Sequence, residues 1–135
     1  MVQKEAAERL CAKPGTRACG AVSAAVWYYA EPQLLFSVGH GSFLPSPKVD
    51  SAVIQLHVRS VPPVKVSEET FFFRTIRAAF GQRRKTAANA VASGLSLPKS
   101  TVQAALKEIG AAETVRAEQL TLSQFAALSD KLHHF

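Results

Sequence analysis

Hydrophobic residues recur along the chain in two different patterns, which divide it into a mixed first part and a helical second part. In the first part, two apolar segments, 33–38 and the more β-branched 49–58, predict strands that pair as an antiparallel unit. Segments 1–12 and 20–31 have the pattern of helices, and Pro32 is expected to end the second one. Two strands alone are rarely stable, so the first part is expected to be the end of a larger α/β domain.

The second part follows a proline-containing connector, 61-VPPVKV-66, and begins with a predicted helix. Ser67 is the predicted N-cap of this helix, and the carboxylates of Glu68 and Glu69 suit the positive end of a helix dipole. Its predicted core face consists of three apolar residues at helical spacing: Phe73, Ile76 and Phe80.

Three further helices are predicted at about 83–93, 100–109 and 122–132, and Gly110 is expected to end the middle one. Two pairs of residues have the spacing of a capping box: Ser100 with Gln103, and Thr121 with Gln124. These helices together predict a small all-helical bundle.

The predicted fold class is therefore α/β followed by α, with a domain boundary at the connector. Residues 1–60 are expected to form the C-terminal part of an α/β domain, and residues 61–135 the helical domain.

Composition excludes some classes of protein. Of the 135 residues, 47% are apolar, which is enough for a core, but no segment is long or apolar enough to span a bilayer. The first ten residues lack the pattern of a signal peptide, so Cys11 and Cys19 are expected to be reduced thiols in a cytoplasmic protein. The four histidines share no ligand spacing with either cysteine, so no metal site is expected.

Positive charge is concentrated in one stretch of the helical part. The net charge is +6, and between Lys65 and Lys85 there are six basic residues and only two acidic ones. On a continuous helix, three arginines would share one flank and two neighbouring basic residues would widen it: Arg74, Arg77 and Arg84, with Arg83 and Lys85. A row of guanidinium groups can bind phosphate oxygens in bidentate fashion, which predicts a nucleic-acid backbone as partner. The alternative is a solvated helix face that keeps the bundle soluble.

The segment 43-FLPSPKVDSAVIQL-56 contains two prolines that hold it in an extended conformation ahead of a predicted strand. We call residues 43–47 the proline arm. Phe43 at its front is either a core residue at the entrance of the strand or a platform on which a nucleobase stacks. Lys48 and Asp50 can equally be turn residues. The residues by themselves show no nucleophile–base pair, no glycine-rich phosphate loop and no paired carboxylates, and so they do not indicate an enzyme.

Several strings, in the same order and over nearly the whole chain, resemble the ribosomal RNA adenine dimethyltransferases. They are FLPSPKVDSAVIQL, which is similar to the family's F-x-P-x-P-K-V-D-S-x-V, then 73-FRTIRAAFGQRRKTAAN-89, 2-VQKEAAERL-10, 20-GAVSAAVWYYAE-31 and 116-RAEQLTLSQFAALSDKL-132. The related methyltransferases of large-subunit rRNA share the proline arm.

The resemblance implies the C-terminal half of an enzyme that uses S-adenosylmethionine to dimethylate two adjacent adenosines of 16S rRNA. It implies the end of a Rossmann-like methyltransferase sheet followed by a helical rRNA-binding domain. Phe43 would stack on the target adenine, and six basic residues would contact rRNA: Lys48, Arg74, Arg77, Arg83, Arg84 and Lys85.

This sequence departs from the family's pattern in two places. The usual Y-G-R-L-S is here 19-CGAVS-23, so Ala21 occupies an arginine position and an RNA contact from this loop is not carried over. The family's glycine-rich cofactor loop, its ribose-binding acidic residue and its N-L-P-Y motif precede the part that resembles this chain. The cofactor is therefore expected to bind outside this chain, which alone is expected to be inactive.

Two other functions stay open at this point. One is a stand-alone RNA-binding or ribosome-assembly module without catalysis, and the other is DNA binding by the helical bundle. Exposed strand edges in residues 1–58 could also drive self-association.

Overall fold

The computed structural model describes residues 2–39, 50–82 and 84–133. Its elements, in chain order, are β1 (Val2–Gln3), α1 (Lys4–Cys11), α2 (Ala21–Tyr29), β2 (Ala30–Val38), β3 (Ser51–Val58), α3 (Glu69–Phe80), α4 (Ala87–Leu95), α5 (Lys99–Glu108), a short 3₁₀ helix (Ala117–Gln119) and α6 (Leu122–His133). None of the helices within these described ranges is long and apolar enough to cross a membrane. The predicted class, a small antiparallel sheet with helices followed by a helical part, is confirmed.

The sheet has three strands in the order β1-β3-β2, and all pairs are antiparallel. The predicted pairing of the two longer strands is confirmed, but β1 was not predicted. It has only two residues, and it exists because Val2 pairs with Ala52 and the Lys4 N–H donates to the Asp50 carbonyl at 2.9 Å. So short a strand leaves no periodic signal in the sequence.

The prediction that Pro32 ends helix α2 is wrong. The helix ends at Tyr29, and Pro32 lies inside β2, opposite Leu56 of β3. Among the described residues, strand β2 lies at the edge of the sheet and pairs only with β3, and an edge strand tolerates a residue without an N–H group. The pairing register shifts between Leu34 and Phe36, which marks a β-bulge at Leu35.

Helix α3 begins one residue later than predicted, and Glu68 rather than Ser67 is its N-cap. The Glu68 carboxylate accepts from the Thr70 and Phe71 N–H groups at 3.1 and 2.8 Å, and the bond from Phe71 is the main reason why the pKa of Glu68 is lowered. The Ser67 N–H instead donates to the Asp130 carboxylate at 2.8 Å, which ties the start of α3 to α6.

The buried face of α3 is rotated by about one residue from the predicted one. Ile76 is buried as predicted, but Phe73 and Phe80 are only half-buried. The face that packs into the core is Phe72, Thr75, Ile76 and Ala79. Three consecutive phenylalanines cannot all face inward on a helix, and hydrophobicity alone does not tell which one does.

The helical part shares one core with α2. Its largest fully buried side chains include residues of α3, α4, α5 and α6: Phe72, Val91, Val102, Leu106, Phe125, Leu128 and Leu132. Ala24 and Tyr28 of α2 belong to the same cluster. The division of the chain into domains at residues 61–66 stays a prediction.

Helix boundaries in the second part follow local capping. The Thr121–Gln124 capping box is confirmed, because each side chain accepts from the other residue's N–H group, at 3.2 and 2.9 Å. Gly110, with φ of +82°, follows the end of α5 as predicted. The predicted Ser100 cap is wrong, because α5 begins at Lys99 directly after Pro98.

Two tyrosines join α2 to the first turn of α3. The Tyr28 hydroxyl donates to Oε2 of Glu69 and the Tyr29 hydroxyl to Oε1, both at 2.9 Å. The Tyr29 ring stacks on Phe73 with the centroids 5.6 Å apart and the planes at 18°. Burial first, and then the hydrogen bond to the Glu69 carboxylate, raise the pKa of Tyr28 to about 12.

This shifted pKa makes the stability of the chain sensitive to alkaline pH. A phenol whose pKa is raised on folding stabilises the folded chain fully below about pH 10, and that contribution is lost as pH rises through about 12. Tyr28→Phe is expected to lower the free energy of unfolding by about 1 kcal/mol near neutral pH, because it removes the bond to Glu69. The difference in the free energy of unfolding between the parent and Tyr28→Phe should become smaller from about pH 10 upwards. Urea unfolding at several pH values measures it. A difference in unfolding free energy that does not change with pH would contradict the contribution of the protonated Tyr28 hydroxyl to stability.

Candidate nucleic-acid interface

Two arginines stand on the exposed face of α3, opposite its buried face. Arg74 and Arg77 are three residues apart, so their side chains are neighbours on the helix surface. Both side chains are exposed, and neither forms an ion pair with any residue in the described ranges. The guanidinium carbon of Arg74 lies 5.9 Å from the centroid of the Phe71 ring, a cation–π contact that orients its head group.

The arginines line a groove between α3 and α4, which we call the arginine groove. Its volume is about 370 Å³, and its walls are Arg74, Arg77, Ala78, Gly81 and Gln82 on one side and Ala90, Ser93, Gly94 and Leu95 on the other. The Oε1 atom of Gln82 is buried and accepts no hydrogen bond from the residues that the structure describes. The groove thus presents two cations that no carboxylate among the described residues neutralises.

The groove depends on the close approach of α3 and α4. A Cβ atom added to Gly94 would lie 2.5 Å from the Cβ of Ala78 and 3.0 Å from its Cα, which is closer than real Cβ atoms come. Only glycine at this position lets the two helix backbones approach so closely. With small residues on both helices, the arginines of α3 face the backbone of α4 across an open groove.

Arg84 and Lys85 lie beyond the end of α3, so the prediction that Arg84 shares a helix flank with Arg74 and Arg77 is wrong. The helix ends at Phe80, and a new one begins at Ala87, because the Thr86 hydroxyl accepts from the Asn89 N–H at 3.3 Å. Arg84 and Lys85 are exposed in the connection between the two helices, and the Lys85 N–H donates to the carbonyl of Gln82 at 3.0 Å.

The acidic residues nearest in sequence to this basic stretch are engaged elsewhere. Glu69 accepts hydrogen bonds from the two tyrosines at the opposite end of α3. Glu108 pairs with Lys131 at 2.8 Å. The positive charge of the groove is therefore available to a partner.

Three of the predicted site residues, Phe43, Lys48 and Arg83, lie outside the described residues. The proline arm belongs to the segment between Val38 and Ser51, two residues that pair at the ends of adjacent antiparallel strands. The stacking role of Phe43 and the RNA contacts of Lys48 and Arg83 stay predictions.

Three residues of the groove, Gln82, Ser93 and Gly94, were not predicted as part of the site. The available signal was a run of small residues, Ala90, Ser93 and Gly94, at helical spacing in α4. Such residues mark a close helix contact, but they do not show which helix makes it.

A family model described as ribosomal RNA adenine dimethylase matches residues 1–134. The chain belongs to the ribosomal RNA adenine dimethylase family. Among curated members, "Ribosomal RNA small subunit methyltransferase A" of Lachnoclostridium phytofermentans is 48% identical over 132 residues, which are 96% of this chain and 46% of that protein. The protein of the same name from a Geobacillus species is 46% identical over 137 residues, which are 99% of this chain and 47% of that protein. The chain thus spans about half the length of these members of the family.

Two solved structures show the same fold. The crystal structure of 23S rRNA methyltransferase ErmE matches with a TM-score of 0.66 and 21% identity, over 97% of this chain and 52% of that one. A dimethyladenosine transferase from Plasmodium falciparum matches with a TM-score of 0.70 and 21% identity, over 93% of this chain and 53% of that one. The expected fold, that of the C-terminal part of an rRNA methyltransferase, is confirmed.

The close contact at Gly94 predicts that a larger residue there destabilises the protein. Gly94→Ala should lower the free energy of unfolding by about 1–3 kcal/mol because α3 and α4 must separate, a loss that exceeds the gain of up to about 1 kcal/mol from helix propensity. Gly39→Ala is the control, since a Cβ there meets no described atom within 4 Å and the change should stay within about 0.5 kcal/mol. Denaturant unfolding measures both. A Gly94→Ala variant as stable as the parent would show that the helices are not in close contact.

Proposed function

We propose that this chain is the C-terminal, rRNA-binding portion of an S-adenosylmethionine-dependent adenine N6,N6-dimethyltransferase that modifies two adjacent adenosines of 16S rRNA during ribosome maturation in the cytoplasm. Membership of the ribosomal RNA adenine dimethylase family supports the chemistry, and the printed names of its relatives support the small subunit as substrate. The observation that carries the RNA-binding role is the arginine groove, in which Arg74 and Arg77 have no carboxylate partner among the described residues.

The groove suits the backbone of a nucleic acid rather than its bases. Arginine presents a planar fork of donors that matches two oxygens of one phosphate, and two arginines one helical turn apart can bind successive phosphates. Arg84 and Lys85 extend the positive surface past the end of α3. Contacts of this kind fix the position of an RNA and make its affinity depend on salt, but they do not distinguish sequences.

The residues of this chain do not fit S-adenosylmethionine. The sequence contains neither an N-L-P-Y string nor the glycine-rich loop that holds the cofactor in the family. The arginine groove also has no carboxylate that could bind a ribose. We therefore assign no cofactor-binding residue here and propose that the cofactor binds to the part of the relatives that this chain does not cover.

The contribution of this chain to the reaction is positioning. The amine at N6 of adenine is a weak nucleophile because its lone pair is delocalised into the ring, so methyl transfer depends on an aligned approach. A base inside a helix cannot reach that alignment and must leave its stack. We propose that Phe43 holds the face of the extruded adenine and that Lys48 contacts the RNA, while the arginine groove holds the strand to which the adenine belongs.

The alternative is a stand-alone RNA-binding or ribosome-assembly module. Four exposed apolar side chains of the sheet argue against a chain that acts alone, because they favour packing against further protein: Leu34, Leu35, Phe36 and Leu56. The further protein would be the rest of a methyltransferase domain or, as an alternative, a second copy of the chain.

Removing the two groove arginines should weaken RNA binding broadly. For Arg74→Ala combined with Arg77→Ala, we expect the affinity for a small-subunit rRNA hairpin to fall about tenfold or more at low salt. The slope of log affinity against log salt should decrease by about 2, one for each lost phosphate contact. Fluorescence anisotropy over a range of salt concentrations measures both quantities.

The matched control for this experiment removes the same charge elsewhere. Arg17→Ala with Lys107→Ala lowers the net charge equally, and both residues are exposed and lie outside the groove. This control should keep the slope of the parent protein. Equal losses in the two double variants would mean that net charge, rather than the groove, binds RNA, and duplex DNA bound as tightly as the hairpin would favour a DNA-binding protein.

The cofactor assignment predicts that this chain alone does not bind S-adenosylmethionine. Calorimetric titration of the chain with the cofactor should show no binding heat, because its residues supply no cofactor loop. Micromolar affinity would place the cofactor site within these residues and would contradict the assignment.

A further inference from the structure

A second cavity lies on the other side of Arg77, between α2 and α3. Its volume is about 410 Å³, and it is lined by Ala21, Val22, Ala25, Tyr29, Phe73, Ile76 and Arg77. We call it the α2–α3 pocket. Its lining is apolar and aromatic apart from the Arg77 guanidinium and the Tyr29 hydroxyl. None of the described lining residues is acidic, and the nearby Glu69 carboxylate is engaged by the Tyr29 hydroxyl. Its volume lies within the range of about 300–1,000 Å³ that is typical of small-ligand sites.

Arg77 lines both this pocket and the arginine groove. The two cavities are therefore neighbours on one surface, the groove cationic and the pocket apolar. A ligand that spans them must carry negative charge at one end and a flat or apolar group at the other. A nucleotide within an RNA strand has this combination, because each phosphate is followed by a base.

The aromatic wall of the pocket is held in place and yet accessible. Tyr29 is 52% exposed, its ring stacks on Phe73, and its hydroxyl is fixed by the bond to Glu69. Val22 is 58% exposed, so an aliphatic side chain also faces solvent next to this wall. A fixed, exposed aromatic ring gives a base a stacking surface at little cost in conformational entropy.

We infer that the α2–α3 pocket takes one unpaired nucleobase from the same RNA strand whose phosphates lie in the arginine groove. This inference rests on the proposed function, which it deepens by adding a second base-binding site distinct from the proline arm. The Tyr29 hydroxyl already donates to Glu69, and Arg77, the other polar residue of the lining, is assigned to the phosphate, so the pocket should accept different bases. The base would stack against Tyr29 while its phosphate binds Arg77.

The test uses two RNA hairpins that differ by one bulged nucleotide, with 2-aminopurine at the bulge. The chain should bind the bulged hairpin about tenfold more tightly than the fully paired one, and stacking should quench the 2-aminopurine fluorescence. Ala25→Leu fills the pocket with a side chain that the half-buried position on α2 directs into it. This variant should lose the preference and the quenching, with binding of the paired hairpin kept within about twofold.

Two further variants separate the explanations. Ala104→Leu makes the same change at an exposed position of α5 outside both cavities and should behave like the parent.

Preference and quenching that persist in Ala25→Leu but vanish in Phe43→Ala would overturn the inference, because the base would then sit at the proline arm. Salt-dependent binding with no preference for the bulge would overturn the inference and leave the proposed function standing. Binding of neither hairpin would overturn both.

Discussion

Helix α3 serves two purposes at once, and the rest of the structure depends on how it divides its surface between them. One face, Phe72, Thr75, Ile76 and Ala79, packs into the core that α4, α5 and α6 share with α2. The other face carries Arg74 and Arg77 into solvent. The helical period of 3.6 residues is enough to place these two sets of side chains on opposite faces of α3. The acidic residues at the start of the helix do not neutralise the arginines, because Glu68 caps the helix and Glu69 binds the two tyrosines of α2.

The close contact between Gly94 and Ala78 creates the groove beside the arginines of α3. Where two helices touch through small residues, longer side chains on either side of the contact must rise around it and leave a groove. Here the flanking residues on α3 are arginines, so the groove is cationic. Arg77 also borders the apolar pocket next to α2, and one side chain thereby links the two surfaces that the proposed RNA would contact. Packing against α2 and packing against α4 thus position the same residue from two sides.

Local signals predicted much of this fold, whereas long-range contacts were beyond their reach. The Thr121–Gln124 box, the end of α5 before Gly110 and the pairing of two strands follow from short stretches of sequence and are confirmed. Strand β1 and the placement of Pro32 depend on pairing with β3, about fifty and twenty-five residues away along the chain in the register of the sheet. Arg74 and Arg77 were predicted as site residues from their charge and spacing. The groove itself was not, because it requires knowing that α4 folds back against α3 after the break at residues 81–86.

The surface where α3 meets α4 is the proposed binding site for RNA. Backbone amide chemical shifts of the labelled chain, recorded during titration with a small-subunit rRNA hairpin, test it residue by residue. The largest changes in chemical shift are expected on both walls of the groove, at Arg74, Arg77, Gln82, Ser93 and Gly94, and α5 and α6 should change little. Shifts concentrated on α5 and α6, with α3 and α4 unaffected, would contradict it.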